Sequence, residues 1–298
     1  LGDGPYKEPN TRATNIELFD GLEGSSQNFL GSVNFDFMAI NDLLKNFIGA
    51  GFYYKTFMWP RKFWENLYEP IIRRAAGLGK LSLQADPSQY DKGYLHCDFL
   101  IIGSGISGLM SALLLAETGS EVLIVEEDFI LGGRLNSERS VINGNQSSVW
   151  IGQAVKKLKS LKNVRILNRT TVFAAFDHGI FAAIEKKTDH ILEKSSKPRQ
   201  INWKIYTKLC ILASGAIERS IAFPQNDRPG IMLAGSVRTY ANRFGAYYGQ
   251  KIAIYTNNDD GWRTADDLKN MGLEIKAVID TRKEIEALSS SVPSYLGQ

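Results

Sequence analysis

Six residues, Gly103-Ser104-Gly105-Ile106-Ser107-Gly108, follow directly on the short apolar run Asp98-Phe99-Leu100-Ile101-Ile102. Glycines at this spacing have distinct jobs. Gly103 permits a tight turn, Gly105 lets backbone N–H groups come close to a phosphate, and Gly108 lets the following helix pack against the strand. The helix begins at the turn, so the positive end of its dipole faces whatever anion sits there. Glu126 stands 23 residues after Gly103 and closes the next apolar run, Glu121-Val122-Leu123-Ile124-Val125. A carboxylate in that place accepts hydrogen bonds from ribose hydroxyls. The chemistry this spacing allows is dinucleotide binding, with pyrophosphate at the helix start and the adenosine ribose on the acid. Three glycines alone are weak support, but here strand, glycines, helix, second strand and acid fall in register. Ser104 and Ser107 complete the candidate contacts of the loop, and Glu127 adjoins the ribose acid.

An acid at Glu126 favours a free 2′-hydroxyl, which argues for NAD or FAD and against NADP. Gly132-Gly133-Arg134 follows shortly and fits a flavoprotein-type fold in which such a loop passes near the ADP moiety. Arg134 can serve a phosphate there or stand solvated. Leu209-Cys210-Ile211-Leu212-Ala213 is an apolar strand entering Ser214-Gly215. Small residues at a strand end suit a chain passing close under a bound dinucleotide. No catalytic base or triad stands out; His96, His178 and His190 read as structural or solvated.

These residues need a scaffold, and the pattern supplies an α/β one: a Rossmann-like FAD/NAD(P)-binding domain of the disulfide-reductase flavoprotein type. Leu109 to Thr118 is a helical run stopped by Gly119. Val149 to Leu161 is a second helix, and Asn163 to Leu167 a third parallel strand. Thr171–Phe176, Ile180–Glu185 and Trp203–Tyr206 form an antiparallel meander, with a polar loop over Lys186–Gln200. Gln250–Tyr255, Trp262–Met271 and Gly272–Asp280 repeat the strand–helix–strand order and begin a second dinucleotide-type lobe. Its first turn, Thr256-Asn257-Asn258-Asp259-Asp260-Gly261, has one glycine and two acids, which would repel a pyrophosphate. Ahead of all this, residues 1–93 form an arm and a linker, with a short strand at Asn15–Leu18, helices at Ala39–Phe47 and Pro70–Gly79, and a linker at Pro87–Gly93. Eight aromatic rings crowd Phe52 to Tyr68 and read as a buried arm or a subunit interface. The division expected is 1–93, 94–248 and 249–298.

Composition removes other classes. Lys and Arg total 35 and Asp and Glu 32, a net charge of +3, too small for nucleic-acid binding without a focused basic patch. Cys97 and Cys210 are the only cysteines, which excludes a disulfide framework and cysteine-rich metal sites, and Cys210 is expected as an inert core thiol. No metal site is expected. No apolar run reaches the length of a membrane span, and no leader pattern opens the chain, so a cytoplasmic protein without membrane contact is expected. The chain opens on Leu1 in what reads as a loop, the signature of a fragment.

A long series of stretches resembles the alpha subunits of heterotetrameric sarcosine oxidases. It includes Glu8-Pro9-Asn10, Asp20-Gly21-Leu22, Ser26-Gln27-Asn28, and the run Ala50-Gly51-Phe52-Tyr53-Tyr54-Lys55-Thr56-Phe57-Met58-Trp59-Pro60. It continues through Arg74-Ala75-Ala76-Gly77-Leu78-Gly79, Arg169-Thr170-Thr171-Val172, Gly215-Ala216-Ile217-Glu218-Arg219 and Asn226-Asp227-Arg228-Pro229-Gly230. Ile217 and Ser220 depart from the family's usual Gly-Ala-His-Glu-Arg-Pro. The resemblance implies an alpha subunit that holds NAD noncovalently, within a complex with beta, gamma and delta subunits. Such complexes oxidise sarcosine on the beta subunit's FAD and yield glycine, hydrogen peroxide and methylenetetrahydrofolate. It implies FMN at the interface with the beta subunit, with Arg228 or Arg238 as candidate contacts. It also implies that the C-terminal folate domain is absent and that the second lobe is under-packed. An FAD-linked alpha subunit of an opine-type oxidase and a noncatalytic scaffold are the alternatives.

Overall fold

The computed structural model describes residues 8–11, 16–27, 29–32, 34–44, 59–191, 197–226, 228–247, 249–285 and 292–297. The chain divides into two compact units, Leu1–Gln89 with Lys187–Arg199, and Tyr90–Lys186 with Gln200–Gln298. The smaller unit carries a two-residue hairpin, β1 (Gly31–Ser32) and β2 (Phe35–Asp36), a 3-10 stretch at Phe37–Leu44, and helix α1 (Glu69–Ala75). Pro70 sits in the first turn of α1, where its missing N–H costs nothing. Residues 16–18 are not a strand. The rings Phe52 to Phe57 lie outside the described residues, as do Asn15 and 45–47 of the expected first helix. Of the described rings, Trp59 and Phe63 are exposed rather than buried.

In the larger unit, β3 (Tyr90–Ile102), α2 (Ile106–Glu117) and β4 (Val122–Val125) make the first strand–helix–strand unit. A small hairpin, β5 (Val141–Ile142) with β6 (Asn145–Gln146), leads into α3 (Ser147–Ser160) and then β7 (Val164–Leu167). The meander follows as β8 (Thr170–Phe176), β9 (Ile180–Lys186) and β10 (Gln200–Leu212). All six long strands join one sheet in the order β7-β4-β3-β10-β9-β8.

Two strands are longer than their sequence pattern predicts. Tyr90 to Gly93 carries charge and a glycine and reads as linker, yet it pairs in parallel with Gln200 to Trp203. The same stretch of β10 pairs antiparallel with β9 on its other side, through Tyr206. Flanking strands on both sides satisfy the backbone there, and this tertiary pairing overrides local composition. β3 and β10 therefore serve both the meander and the parallel sheet. One core lies between sheet and helices, around Ile101, Leu109, Ile124, Trp150 and Leu158. A second lies on the opposite side, where Leu100, Leu123 and Val125 meet Ala183 and Ile205 of the meander. Each fully buried side chain of this kind contributes roughly 1.5–3 kcal/mol.

Beyond Tyr206, β9 no longer accompanies β10, and the outer edge of Thr207–Leu212 has no strand neighbour among the described residues. Cys210 is consequently exposed rather than in the core, and Leu209 and Leu212 are exposed with it.

Helix α4 (Ala234–Phe244) leads to β11 (Lys251–Thr256), α5 (Asp259–Asn270), β12 (Glu274–Asp280) and β13 (Ser294–Leu296). These last strands form a parallel sheet in the order β11-β12-β13. Strand β13 is too short for a readable pattern and was not expected. The second unit is also better filled than expected. Trp262 is 1% exposed and Ala265, Leu268 and Val278 are fully buried around it. The indole N–H of Trp262 donates to Asp280 Oδ2 at 2.8 Å, so the largest core side chain is also polar-satisfied.

Candidate nucleotide site

Gly103 sits at φ +97, and a Cβ there would lie 2.4 Å from the Ala213 carbonyl oxygen. Only glycine fits, because the end of β10 passes directly beneath the turn. This contact brings Ser214 to the loop, with Gly215 next in the chain, and both are exposed. At Gly108 a Cβ would stand 2.0 Å from the Gly103 carbonyl oxygen, so α2 packs directly on the turn. Gly105 differs from both. Its backbone, φ −63 and ψ −174, is open to any residue, and a Cβ would meet nothing within 4 Å. The fold makes no demand for glycine at 105, and the space beside its backbone is open.

Gly105 is also the N-cap of α2, and no side chain caps that helix. Its first turn holds no acid. The N–H groups of Ile106, Ser107 and Gly108 head a 12-residue helix, and an anion complements them. Ser107 is exposed at this place.

Ser104 is fully buried and points away from that surface. Its N–H and its hydroxyl both donate to Glu126 Oε2, at 2.7 and 2.6 Å. The hydroxyl also accepts from the Gly132 N–H at 3.2 Å. Ser104 thus fastens the loop from below rather than touching phosphate with its side chain. Glu126 is 7% exposed, and its Oε1 accepts from the Asp128 N–H at 3.0 Å. Three of about four acceptor positions of the carboxylate are occupied by the protein. One remains, on Oε1. Glu127 is exposed beside it.

The Gly132-Gly133 turn rides on the glycine loop. Gly132 N–H donates to the Ser104 carbonyl at 3.0 Å, and a Cβ on Gly133 would lie 3.0 Å from Gly105 Cα. Arg134 is half exposed and is paired rather than solvated. Its partners are Glu138 on its own turn and Asp260 at the start of α5. Burial works against its charge, but Asp260 and Glu138 outweigh that and raise its pKa.

Several residues that hold the site were invisible to motif reading. Arg243 of α4 grips Asp128 with two hydrogen bonds, 2.6 and 2.9 Å, fixing the segment that follows Glu126. Burial opposes ionisation of Asp128, and Arg243 more than compensates, lowering its pKa. Arg238, a candidate for a partner's phosphate, is 4% exposed and belongs to the interior. It meets Asp267 at 2.8 Å, Asp260 at 3.2 Å and Glu138 at 3.5 Å. Arg228 is exposed. Glu218 accepts the Gly235 N–H at 3.0 Å, and Asp227, beside Arg228 in the chain, lies outside the described residues.

His96 and His178 have other settings. His96 stacks on Tyr206, ring centroids 5.0 Å apart. His178 occupies a turn with φ 63. Among the described residues, no group of three or more His, Cys, Asp or Glu could hold a metal ion. No described helix is long and apolar enough to cross a membrane.

Residues 101–154 match the family model of an NAD(P)-binding Rossmann-like domain, the stretch from the end of β3 into α3. The chain is 46% identical over 95% of its length to the sarcosine oxidase subunit alpha of Rhizobium meliloti (strain 1021). It is 38% identical over 72% of its length to the subunit of that name from Corynebacterium sp. (strain U-96). Among solved structures, L-proline dehydrogenase from P. horikoshii shares the fold, with a TM-score of 0.52, 24% identity, and coverage of 68% of this chain and 39% of that one. The chain spans 29% of the length of the Rhizobium relative and 22% of the Corynebacterium one. Over nearly all of its own residues, then, this chain belongs with the alpha subunits of sarcosine oxidase, matching under a third of their length.

Proposed function

We propose that this chain is the nucleotide-holding region of a sarcosine oxidase-type alpha subunit and that it binds NAD noncovalently. The observation that carries the reading is Gly105, a glycine the fold does not need, placed at the uncapped start of α2. The pyrophosphate would lie on the N–H groups of Ile106, Ser107 and Gly108, close to Gly103, Gly133, Ser214 and Gly215. Ser104 would act through Glu126, holding the carboxylate in place. Glu126, with one acceptor position left, would take a single hydroxyl of the adenosine ribose, and Glu127 would face the same end.

The resemblance assigns amine oxidation to the beta subunit, with its FAD, and leaves catalysis off this chain. The beta, gamma and delta subunits would be the partners, and FMN would sit where alpha meets beta. Arg228 is the arginine available to that surface, since Arg238 is committed to carboxylates. FAD in place of NAD is the second reading, favoured by the Gly132-Gly133 turn packed against Gly105.

Two measurements test this. A visible flavin spectrum in the purified protein would replace NAD by FAD. In calorimetric titration, NAD is expected to bind at least about tenfold more tightly than NADP, a gap of about 1.4 kcal/mol. Equal affinities would remove Glu126 as reader of the ribose.

A further inference from the structure

Arg134 stands one residue from the backbone that touches Gly105, yet its guanidinium is turned to Asp260 and Glu138. Its chain neighbour Gly133 lies against Gly105 at the start of α2. Asp260 is therefore a rival for the same cation. Its setting makes the rivalry sharp. Among the described residues, four carboxylates, Glu138, Glu218, Asp260 and Asp267, gather around two guanidinium groups, Arg134 and Arg238. Asp260 Oδ2 is buried with no N–H donor on it, and the carboxyl group of Glu218 lies within hydrogen-bonding reach of Asp260. The excess of carboxylates favours keeping Arg134 on Asp260 and Glu138.

Resting on the nucleotide site proposed above, we infer that Asp260 sets the affinity of that site by competing with the bound pyrophosphate for Arg134. Binding then draws Arg134 away from α5, and the first turn of α5 feels whether the first unit is loaded. The second unit acts on the nucleotide without touching it. Arg134 is half exposed, so the pair is screened and the effect is that of a surface ion pair.

The test is a titration of ADP, which carries the pyrophosphate and the adenosine, against wild type, Asp260→Asn, Arg134→Ala and the double variant. Asp260→Asn is expected to tighten ADP about two- to fivefold, and the gain is expected to vanish in the Arg134→Ala background. Asp260 also serves the buried Arg238, so Glu138→Gln is run as a second release of Arg134 that leaves α5 intact; it should tighten ADP in the same direction. Unchanged or weaker ADP binding in both single carboxylate variants overturns the competition, as does a gain that persists without Arg134. Failure of wild type to bind ADP overturns the nucleotide site as well.

Discussion

At the start of α2 the chain leaves three N–H groups without a side-chain cap and keeps acids away; at the start of α5 it does the reverse. Asn258 caps α5 by accepting the Asp260 N–H at 2.9 Å, and Asp259 and Asp260 fill the first turn. Arginines then neutralise those acids: Arg282 takes Asp259 at 2.7 Å, while Arg134 and Arg238 take Asp260. Both helices sit in strand–helix–strand units with parallel strands. Even the close approach is shared, since a Cβ at Gly261 would stand 2.4 Å from Thr256 Oγ1, much as Gly108 meets Gly103. The backbone geometry alone therefore does not make a phosphate site. The two sequences treat the first turn differently: in one unit no side chain caps the helix and no acid meets its dipole, and in the other the protein satisfies both.

This contrast can be broken at four points. The largest effect is expected at Gly108. An added Cβ would collide with the Gly103 carbonyl, and neither backbone can yield, so Gly108→Ala should cost about 3 kcal/mol in urea unfolding. Next is Gly105→Val, where the space is open. Thermal stability should stay near wild type while ADP affinity falls by about a hundredfold, or about 2.7 kcal/mol; retained ADP binding would mean that the turn holds no phosphate.

In the second unit Asp280 is the sensitive point. It is fully buried, accepts from Trp262 and pairs with Arg282 at 2.8 Å. Burial opposes its charge, but those partners prevail and hold its pKa down at about 2. A carboxylate depressed from the usual 3.8 stabilises the fold above that value, and the contribution is lost as pH falls toward 2. Asp280→Ala should cost about 2 kcal/mol by stranding the Trp262 N–H and should flatten that acid dependence, with ADP affinity unchanged. Calorimetric melts of both proteins between pH 5 and 2 would show it. The smallest effect belongs to Asn258→Ala, about 1 kcal/mol for a lost cap. The bared helix start should still take up no second ADP, because the acids remain; a second ADP bound per chain in this variant would show that the cap, not the charge, excludes the nucleotide.

Legibility from sequence followed distance along the chain. Gly103, Gly105, Gly108 and Glu126 could be read because the whole unit lies within 23 residues and each position has one physical demand. That the acids at 259 and 260 stand at a helix start was readable for the same local reason. Arg243 holding Asp128, and Asp260 holding Arg134, join residues more than a hundred positions apart, and no local pattern marks a charge as taken. Ser104 misled because a loop serine can face either way, and only the packing of Gly132 over it shows that it faces inward. Tyr90 to Gly93 and Cys210 were misread for a related reason. Composition describes a segment, while burial depends on which strands happen to lie alongside it.

The pairing of β3 with β10 imposes an order on biosynthesis. Tyr90 meets its partner Gln200 roughly 110 residues later, so the inner edge of β3 stays open until that segment has left the ribosome. At typical elongation rates the wait is about 5–20 s, far longer than a hairpin needs to form. During it, β3, α2, β4, α3 and β7 can assemble against one another, while Tyr90 to His96 have nothing to pair with. Nascent chains stalled before residue 200 should therefore be cleaved by added protease in Tyr90 to His96, and chains stalled well past Leu212 should resist. Equal resistance at both lengths would mean that the long strand is protected by other means from the start.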